Sequence, residues 1–306
     1  MSKQLLTSAI SGLVMLGVTL SASPSAQATG DVLVIGSISR SIKEEIETFQ
    51  PLADYLGPRL EAVGIRSAKI AVVTTASEMA RRLANGEIDI YIDSPIIAAQ
   101  ISRKSGAKPF LRRWKKGVAE YQTLFVTRQD SDIKSLDDLL GRVVAFDDPH
   151  SSSGYLLPKA MLMERGYRLV QVTDPGASVP PDAIGYVFSM DDVNTMFWVD
   201  RGKVDAGVTS PGFLKKYGDR YRNRLRVLAS SMKMPRHVVV HRGDLDPAVV
   251  RELERVLTGM EHDEAGRKTL KAFQKTTRFD RFPDGVEATF APIYAMLDIL
   301  DLQLTN

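Results

Sequence analysis

Asp31-Val32-Leu33-Val34-Ile35-Gly36 is an unbroken apolar run, rich in β-branched residues and closed by glycine, and it reads as a strand buried on both faces. Helical and strand patterns alternate beyond it. Lys43 to Val63 carries Ile46, Phe49, Leu52, Leu56 and Leu60 on one helical face, with Pro51 expected to divide it into two pieces. Lys69 to Thr74 is a second strand. Ser77 to Asn85 is a helix stopped at Asn85-Gly86, and Ile88 to Ile92 is a third strand. Pro95 then opens another helix from its first turn, where a missing N–H costs nothing. Strand, helix, strand, helix, strand calls for an α/β fold with a mostly parallel sheet flanked by helices. Such sheets bind ligands at the carboxyl ends of their strands.

A second α/β unit comes next. Ala119 to Thr127 is read as one long strand, and the polar Gln129-Asp130-Ser131-Asp132 beyond it as a crossing between units. Ser135 to Leu139 is a short capped helix. Arg142 to Phe146, Tyr167 to Val172 and Val204 to Thr209 are strands, while Ser153 to Arg165, Asp192 to Arg201 and Pro211 to Tyr217 are helices. Arg224 to Ala229 is strand-like, and His237-Val238-Val239-Val240-His241 returns the chain to the first unit. The remainder is mainly helical, and no internal repeat is visible. The expectation is two lobes joined by two strands: 29–126 with 236–306 as lobe 1, and 127–235 as lobe 2. Hinged pairs of this kind close around ligands.

Residues 1–28 read as a signal peptide. Lys3 is followed by a short apolar run from Leu5 to Leu20, and Ala26-Gln27-Ala28 offers small residues for cleavage after Ala28. The mature chain is therefore expected in the periplasm. A net charge of +3 is too small for a nucleic-acid binder, and the absence of cysteine removes disulfides and thiolate chemistry. The densest basic run, Arg112-Arg113-Trp114-Lys115-Lys116, reads as a solvated strand edge or hairpin.

The sharpest local feature is Ala145-Phe146-Asp147-Asp148-Pro149-His150-Ser151-Ser152-Ser153-Gly154-Tyr155. A buried strand ends, and three serines and a glycine lead into a helix. Backbone N–H groups at a helix start favour an anion, and hydroxyls add donors without charge. A serine N-cap in a polar loop explains the same pattern equally well.

The chain resembles the phosphate/phosphite/phosphonate substrate-binding proteins of ABC importers, the PhnD-type family. The ordered matches are Phe49 to Gly57, Leu83 to Ile90, Asp93-Ser94-Pro95, Tyr121, Ser135 to Arg142, Ala145 to Pro149, Ser151 to Tyr155, and Gly202 to Gly207. The resemblance implies a two-lobed fold of the type II periplasmic binding proteins. It also implies that Ser151, Ser152, Ser153 and Gly154 wrap ligand oxygens, with Ser152 where threonine is commoner. Ser94, Tyr121, Asp205 and Tyr91, two residues before Asp93 on one strand face, are carried over as site residues. One segment departs from the family: Ser189-Met190-Asp191-Asp192 has no histidine, and Asp191 stands near its place, where a carboxylate would repel an anion unless protonated or paired with an amine. Arg40, after the first strand, is a candidate ion-pair partner, and His150 a candidate ligand contact.

The expected function is a periplasmic receptor capturing a small oxyanion for an ABC permease, as a monomer, with no cofactor, no metal and no nucleic acid. The alternative is a sensing module of the same fold that signals to a membrane kinase. An enzyme is disfavoured, because adjacent His150 and serines do not make a nucleophile–base pair and Gly-x-Ser-x-Gly is absent.

Overall fold

A computed structural model of the chain describes residues 30–149, 151–221 and 223–300. The expected signal peptide and His150 lie outside the described residues. The chain begins with β1 (Val32–Ile38), α1 (Ile42–Leu56), β2 (Ser67–Val73), α2 (Ala76–Ala84), β3 (Ile90–Asp93), α3 (Pro95–Ser105), β4 (Lys108–Arg113) and β5 (Glu120–Tyr121). It continues with β6 (Leu124–Arg128), β7 (Val143–Phe146), α4 (Leu157–Glu164), β8 (Arg168–Gln171), β9 (Ala183–Phe188), α5 (Asp192–Asp200), β10 (Ala206–Thr209), α6 (Pro211–Tyr221) and β11 (Leu225–Ser230). It ends with β12 (Met234–Pro235), β13 (His237–His241), α7 (Pro247–Gly259), α8 (Glu264–Ala272), β14 (Phe279–Asp280) and α9 (Gly285–Leu300).

Two six-stranded sheets result, ordered β14-β4-β13-β3-β1-β2 and β11-β6-β10-β7-β9-β8, with β5 and β12 forming a small ribbon between them. Each sheet is mixed, a run of parallel strands extended by antiparallel pairings. β2, β1 and β3 run parallel, whereas β13, returning from the second lobe, is antiparallel to both β3 and β4. In the second sheet β10, β7, β9 and β8 are parallel, and β6 runs antiparallel to both its neighbours, β10 and β11.

Several elements differ from the sequence reading, strands β4 and β14, unassigned there, among them. Helix α1 runs through Pro51 and tightens only at Gly57, into a 3₁₀ stretch. A side chain at Gly57 would stand 2.7 Å from the Ser67 backbone, so strand β2 packs directly on that turn. The long strand expected from Ala119 splits at Gln122-Thr123, and β6 already belongs to the second sheet, earlier than the expected 126/127 boundary. Strand β9, unassigned from sequence, is buried between β7 and β8.

The lobes are tied in the same way at the start of their central parallel strands. Asp89 accepts from the Val34 N–H (2.8 Å) and Asp205 from the Val143 N–H (2.9 Å), each after a glycine at positive φ, Gly86 and Gly202. Asp89 is also paired with the buried Arg242 at 2.9 Å. The same short pattern, Gly86-Glu87-Ile88-Asp89 and Gly202-Lys203-Val204-Asp205, thus serves one structural purpose in both lobes.

The C-terminal helix α9 packs on α3 of the first lobe and α4 of the second. Phe290, Ile293 and Leu297 share one core cluster with Ala98 and Ile101 on one side and Leu157 and Met161 on the other. The hydrophobic driving force for docking α9 therefore also holds the lobes together.

The basic run is buried in its first half and turns a hairpin in its second, where Lys116 is exposed. Arg112 forks onto Asp280 (2.9 and 2.8 Å) and reaches Glu120 at 3.1 Å. Arg113, 1% exposed, bonds Thr276 (2.9 Å) and lies 3.7 Å over the Phe273 ring. Lys116 and Gly117, both at positive φ, turn a tight hairpin that returns the chain toward β5. Among the described residues no helix is long and apolar enough to cross a membrane.

Candidate functional site

Strand β7 ends at Phe146, and the chain turns through the serines into α4. The Ser151 hydroxyl accepts from the Gly154 N–H at 3.0 Å, so Ser151 is an N-cap. The Tyr155 and Leu156 N–H groups both reach Ser151 O, at 3.1 and 3.0 Å, which widens the first turn to π-type. The Ser152 and Ser153 N–H groups stand at the start of that turn, where no intrahelical acceptor exists. Gly154 is demanded by space: a Cβ there would lie 2.3 Å from Asp147 Cβ.

This turn touches the first lobe. Ser152 Oγ donates to Ser94 Oγ at 2.9 Å, and Thr123 Oγ1 donates to Ser153 O at 2.5 Å. Beside that contact opens a cavity of about 690 Å³, lined among others by Ser153, Gly154, Tyr121, Thr209, Asp192 and Arg236. The size suits a small ligand with room for a substituent. The sheets meet there at the carboxyl ends of β7 and β10.

Of the residues singled out from sequence, Ser153, Gly154 and Tyr121 line the cavity, while Ser152 and Ser94 bridge the lobes beside it. Tyr91 is fully buried in lobe 1, donates its hydroxyl to Asp93, and is not among the residues lining the cavity. Burial first, then Asp93, pushes that phenol well above its usual range. Asp205 lies at the opposite end of the sheet from the serines. It holds the start of β7 and stands 3.5 Å from Arg142, so the structure gives it a scaffolding contact instead of a ligand-facing one. Arg40 is exposed in the loop after β1. Asp191 caps α5, accepting from Val193 N–H (2.6 Å) and Asn194 N–H (3.2 Å), and is not among the residues lining the cavity. Two acids line the cavity: Glu120, paired with Arg112, and Asp192, the neighbour of Asp191, whose carboxyl is pushed up first by loss of water and then by Asp147 and Asp191. Asp147, beside the serine turn, is raised mainly by burial, with the Ser151 hydroxyl opposing.

Sequence reasoning missed two polar residues of the cavity wall, Arg236 and Thr209. Arg236 precedes β13 and lines the cavity; among the described residues its guanidinium has no carboxylate or hydrogen-bond partner, only the Tyr121 ring at 5.7 Å. Burial pulls its pKa down, against attraction from Tyr121 and Asp93. The buried Tyr121 hydroxyl and Thr209 Oγ1 also lack hydrogen-bond partners among the described residues. Buried polar groups are almost always paired. A cation, a phenol and a hydroxyl left unpaired around one cavity are suited to an acceptor with several oxygens, an oxyanion. The only sequence signal for Arg236 was its place at the return crossing, next to His237.

The family model described as the periplasmic substrate-binding protein of phosphonate ABC transporters matches residues 35–284. The phosphate-import protein PhnD of Mycolicibacterium smegmatis is 33% identical over 111 residues, which are 32% of this chain and 35% of that protein, so the match spans about a third of the relative's length. XAC2383 from Xanthomonas citri, solved bound to ATP, is 28% identical with a TM-score of 0.77, covering 89% of this chain and 99% of that one. PhnD1 from Prochlorococcus marinus, solved with methylphosphonate, shares the fold at 17% identity and a TM-score of 0.57, over 89% of this chain and 98% of that one. The two-sheet architecture with its interlobe cavity is that of the type II periplasmic binding proteins, and the chain belongs to the periplasmic phosphonate substrate-binding protein family of ABC transporters.

Proposed function

We propose that this chain is the periplasmic receptor of an ABC importer and takes a small tetrahedral oxyanion, a phosphonate or a phosphate relative, into the interlobe cavity. The observation that carries this is the convergence of Arg236, the Tyr121 hydroxyl and Thr209 Oγ1, all without partners among the described residues, on one cavity edged by the serine turn. An oxyanion satisfies all of them at once. A receptor needs donors and shape but no nucleophile and base, and the Ser151 and Ser152 hydroxyls are already engaged within the protein. The Mycolicibacterium relative is named for phosphate import and the Xanthomonas relative was solved with ATP, both phosphate-bearing ligands. In this reading the chain acts as a monomer after cleavage at Ala28 and delivers its ligand to a membrane permease.

A second ligand feature is favoured by Asp192. A carboxyl at the rim whose pKa is raised by loss of water and by like charges is relieved by a cationic neighbour. A ligand with an amine distal to its oxyanion would place one there. The test is a thermal-shift and calorimetric screen of phosphate, phosphite, methylphosphonate, 2-aminoethylphosphonate, sulfate and ATP. Tight binding stabilises by mass action. A flat response to every phosphorus oxyanion would refute the proposal, and a preference for 2-aminoethylphosphonate over methylphosphonate is the result expected if Asp192 meets an amine.

A further inference from the structure

The cleft-side edge of the first lobe carries a row of ionisable groups behind the cavity. Asp93 ends β3, where it pairs with Val238 of β13; the next residue along β13, His237, pairs with Arg113 at the end of β4. Lys115 Nζ lies 3.4 Å from His237 Nε2. Arg236, adjacent to His237 in the chain, carries the positive charge through to the cavity itself. The groups that act on Lys115 come from every neighbouring element: Arg113 of β4, His237 of β13, Arg236, and Lys116 of the hairpin, with Asp93 of β3 as the carboxylate. Glu45 of α1 accepts from the Ser37 hydroxyl at 2.5 Å and acts on Tyr91 and Arg113 instead. Asp93 is engaged by the Tyr91 hydroxyl and the Ser94 N–H, so it is not committed to any one cation. His237 Nδ1 is buried without a partner among the described residues. Asp93 is thus the one carboxylate acting on both Lys115 and Arg236, Arg113 feels Glu45 as well, and among these groups in a partly dehydrated space positive charge is in excess.

We infer that Lys115, acting from behind Arg236, makes the cavity select an oxyanion bearing two negative charges over one bearing a single charge. The inference rests on the oxyanion reading of the cavity and names the ligand's charge. Lys115 does not line the cavity; it acts through the field and through Arg236. In that positive field a dianion at Arg236 gains about twice the attraction that a monoanion of the same shape gains. Burial first, and then like charge, hold Lys115 down to about 8, so with the cavity empty it is largely neutral at mildly alkaline pH. A dianion reverses the sign of the local field, raises the lysine's proton affinity, and draws a proton from solution.

The experiment is calorimetry on the mature chain at roughly pH 8.5, in two buffers of unequal ionisation enthalpy, a condition chosen against the folded-state proton equilibrium. The probes are methylphosphonate, a dianion there, and methanesulfonate, a monoanion of similar shape. The wild type is expected to prefer methylphosphonate and to take up more than about half a proton on binding it. In Lys115→Met the preference shrinks by roughly tenfold, the scale of one unit charge acting across several ångströms at protein-like dielectric, and the uptake disappears. Lys115→Arg, always charged, keeps the preference without the uptake. An unchanged preference in Lys115→Met, or methylphosphonate binding to the wild type with no proton uptake, overturns the inference while leaving the oxyanion site standing. Binding of neither probe refutes the oxyanion reading itself. The proton count in the wild type needs no substitution, so the test survives a variant that folds poorly.

Discussion

Arg236→Met separates a binding role from a structural one, because the two make opposite predictions about stability. The guanidinium is largely removed from water and has no carboxylate partner among the described residues; a ring at 5.7 Å and a distant pull from Asp93 are its attractions. A buried charge without a partner costs stability, so an apolar side chain of similar length should leave the empty protein as stable as before or slightly more so. About 1 kcal/mol moves the melting point of a chain this size by roughly 2–4 °C, and the expected change is zero to a small rise. Binding should respond the other way. A charge-assisted hydrogen bond contributes about 1.5–3 kcal/mol, so affinity for a phosphorus oxyanion should fall roughly 10- to 150-fold. Arg236→Lys, keeping charge but losing the fork, should fall in between. Thermal unfolding of the empty protein and calorimetry with methylphosphonate and phosphate measure both quantities. A melting point several degrees lower with affinity intact would show that the arginine holds the hinge and not the ligand.

Asp205→Ala should destabilise by about 1–3 kcal/mol, because the Val143 N–H loses its acceptor, and should leave affinity unchanged, as read by chemical denaturation and calorimetry. Gly154→Ala must displace Asp147 from a 2.3 Å overlap, and is expected to lower the melting point by several degrees and weaken binding together, by thermal unfolding and titration. Asp192→Asn should stabilise the empty protein at neutral pH but not near pH 3. A carboxyl raised in the folded state costs stability as pH climbs through its unfolded range and above, and costs nothing where both states are protonated; melting points across pH check the sign. Ser152→Ala removes the hydroxyl bridge to Ser94 and should lower affinity by about 1 kcal/mol through weaker lobe contact, with the empty protein little changed, by the same titration.

The α/β alternation was legible because its strands are short and buried on both faces. Val143 to Phe146 and Ala206 to Thr209 are buried at every position, Val32 to Ile38 at four of seven, and Pro and Gly mark the helix starts and strand ends. Strand direction was not legible. β13 is as buried as β7, and nothing in its residues says that it enters the sheet antiparallel; the return from the second lobe decides that. The basic run misled for a related reason. Charge density suggests solvent, but Arg112 and Arg113 are buried against acceptors supplied 160 or more residues later, Asp280 and Thr276 among them.

The same distinction divides the site. The serine turn is a local object, made by a strand end, a cap and a glycine with no room for a side chain, and it is readable from eleven consecutive residues. Yet two of its three hydroxyls are engaged within the protein: Ser151 on its own helix and Ser152 on Ser94. What the cavity offers a ligand is the set of polar groups that folding leaves without partners, and that set cannot be found by local pattern. Tyr121 and Arg236 flank the two crossings between lobes, and Thr209 ends a strand of the second sheet. Each is ordinary in its own segment. They become a site because the crossings must run side by side, as β5 and β12 do, which brings Tyr121 and Arg236 to the same wall opposite the ends of β7 and β10. Affinity is therefore built from the hinge as well as from the lobes, and a ligand that pairs Arg236 binds the very strands about which the lobes would move.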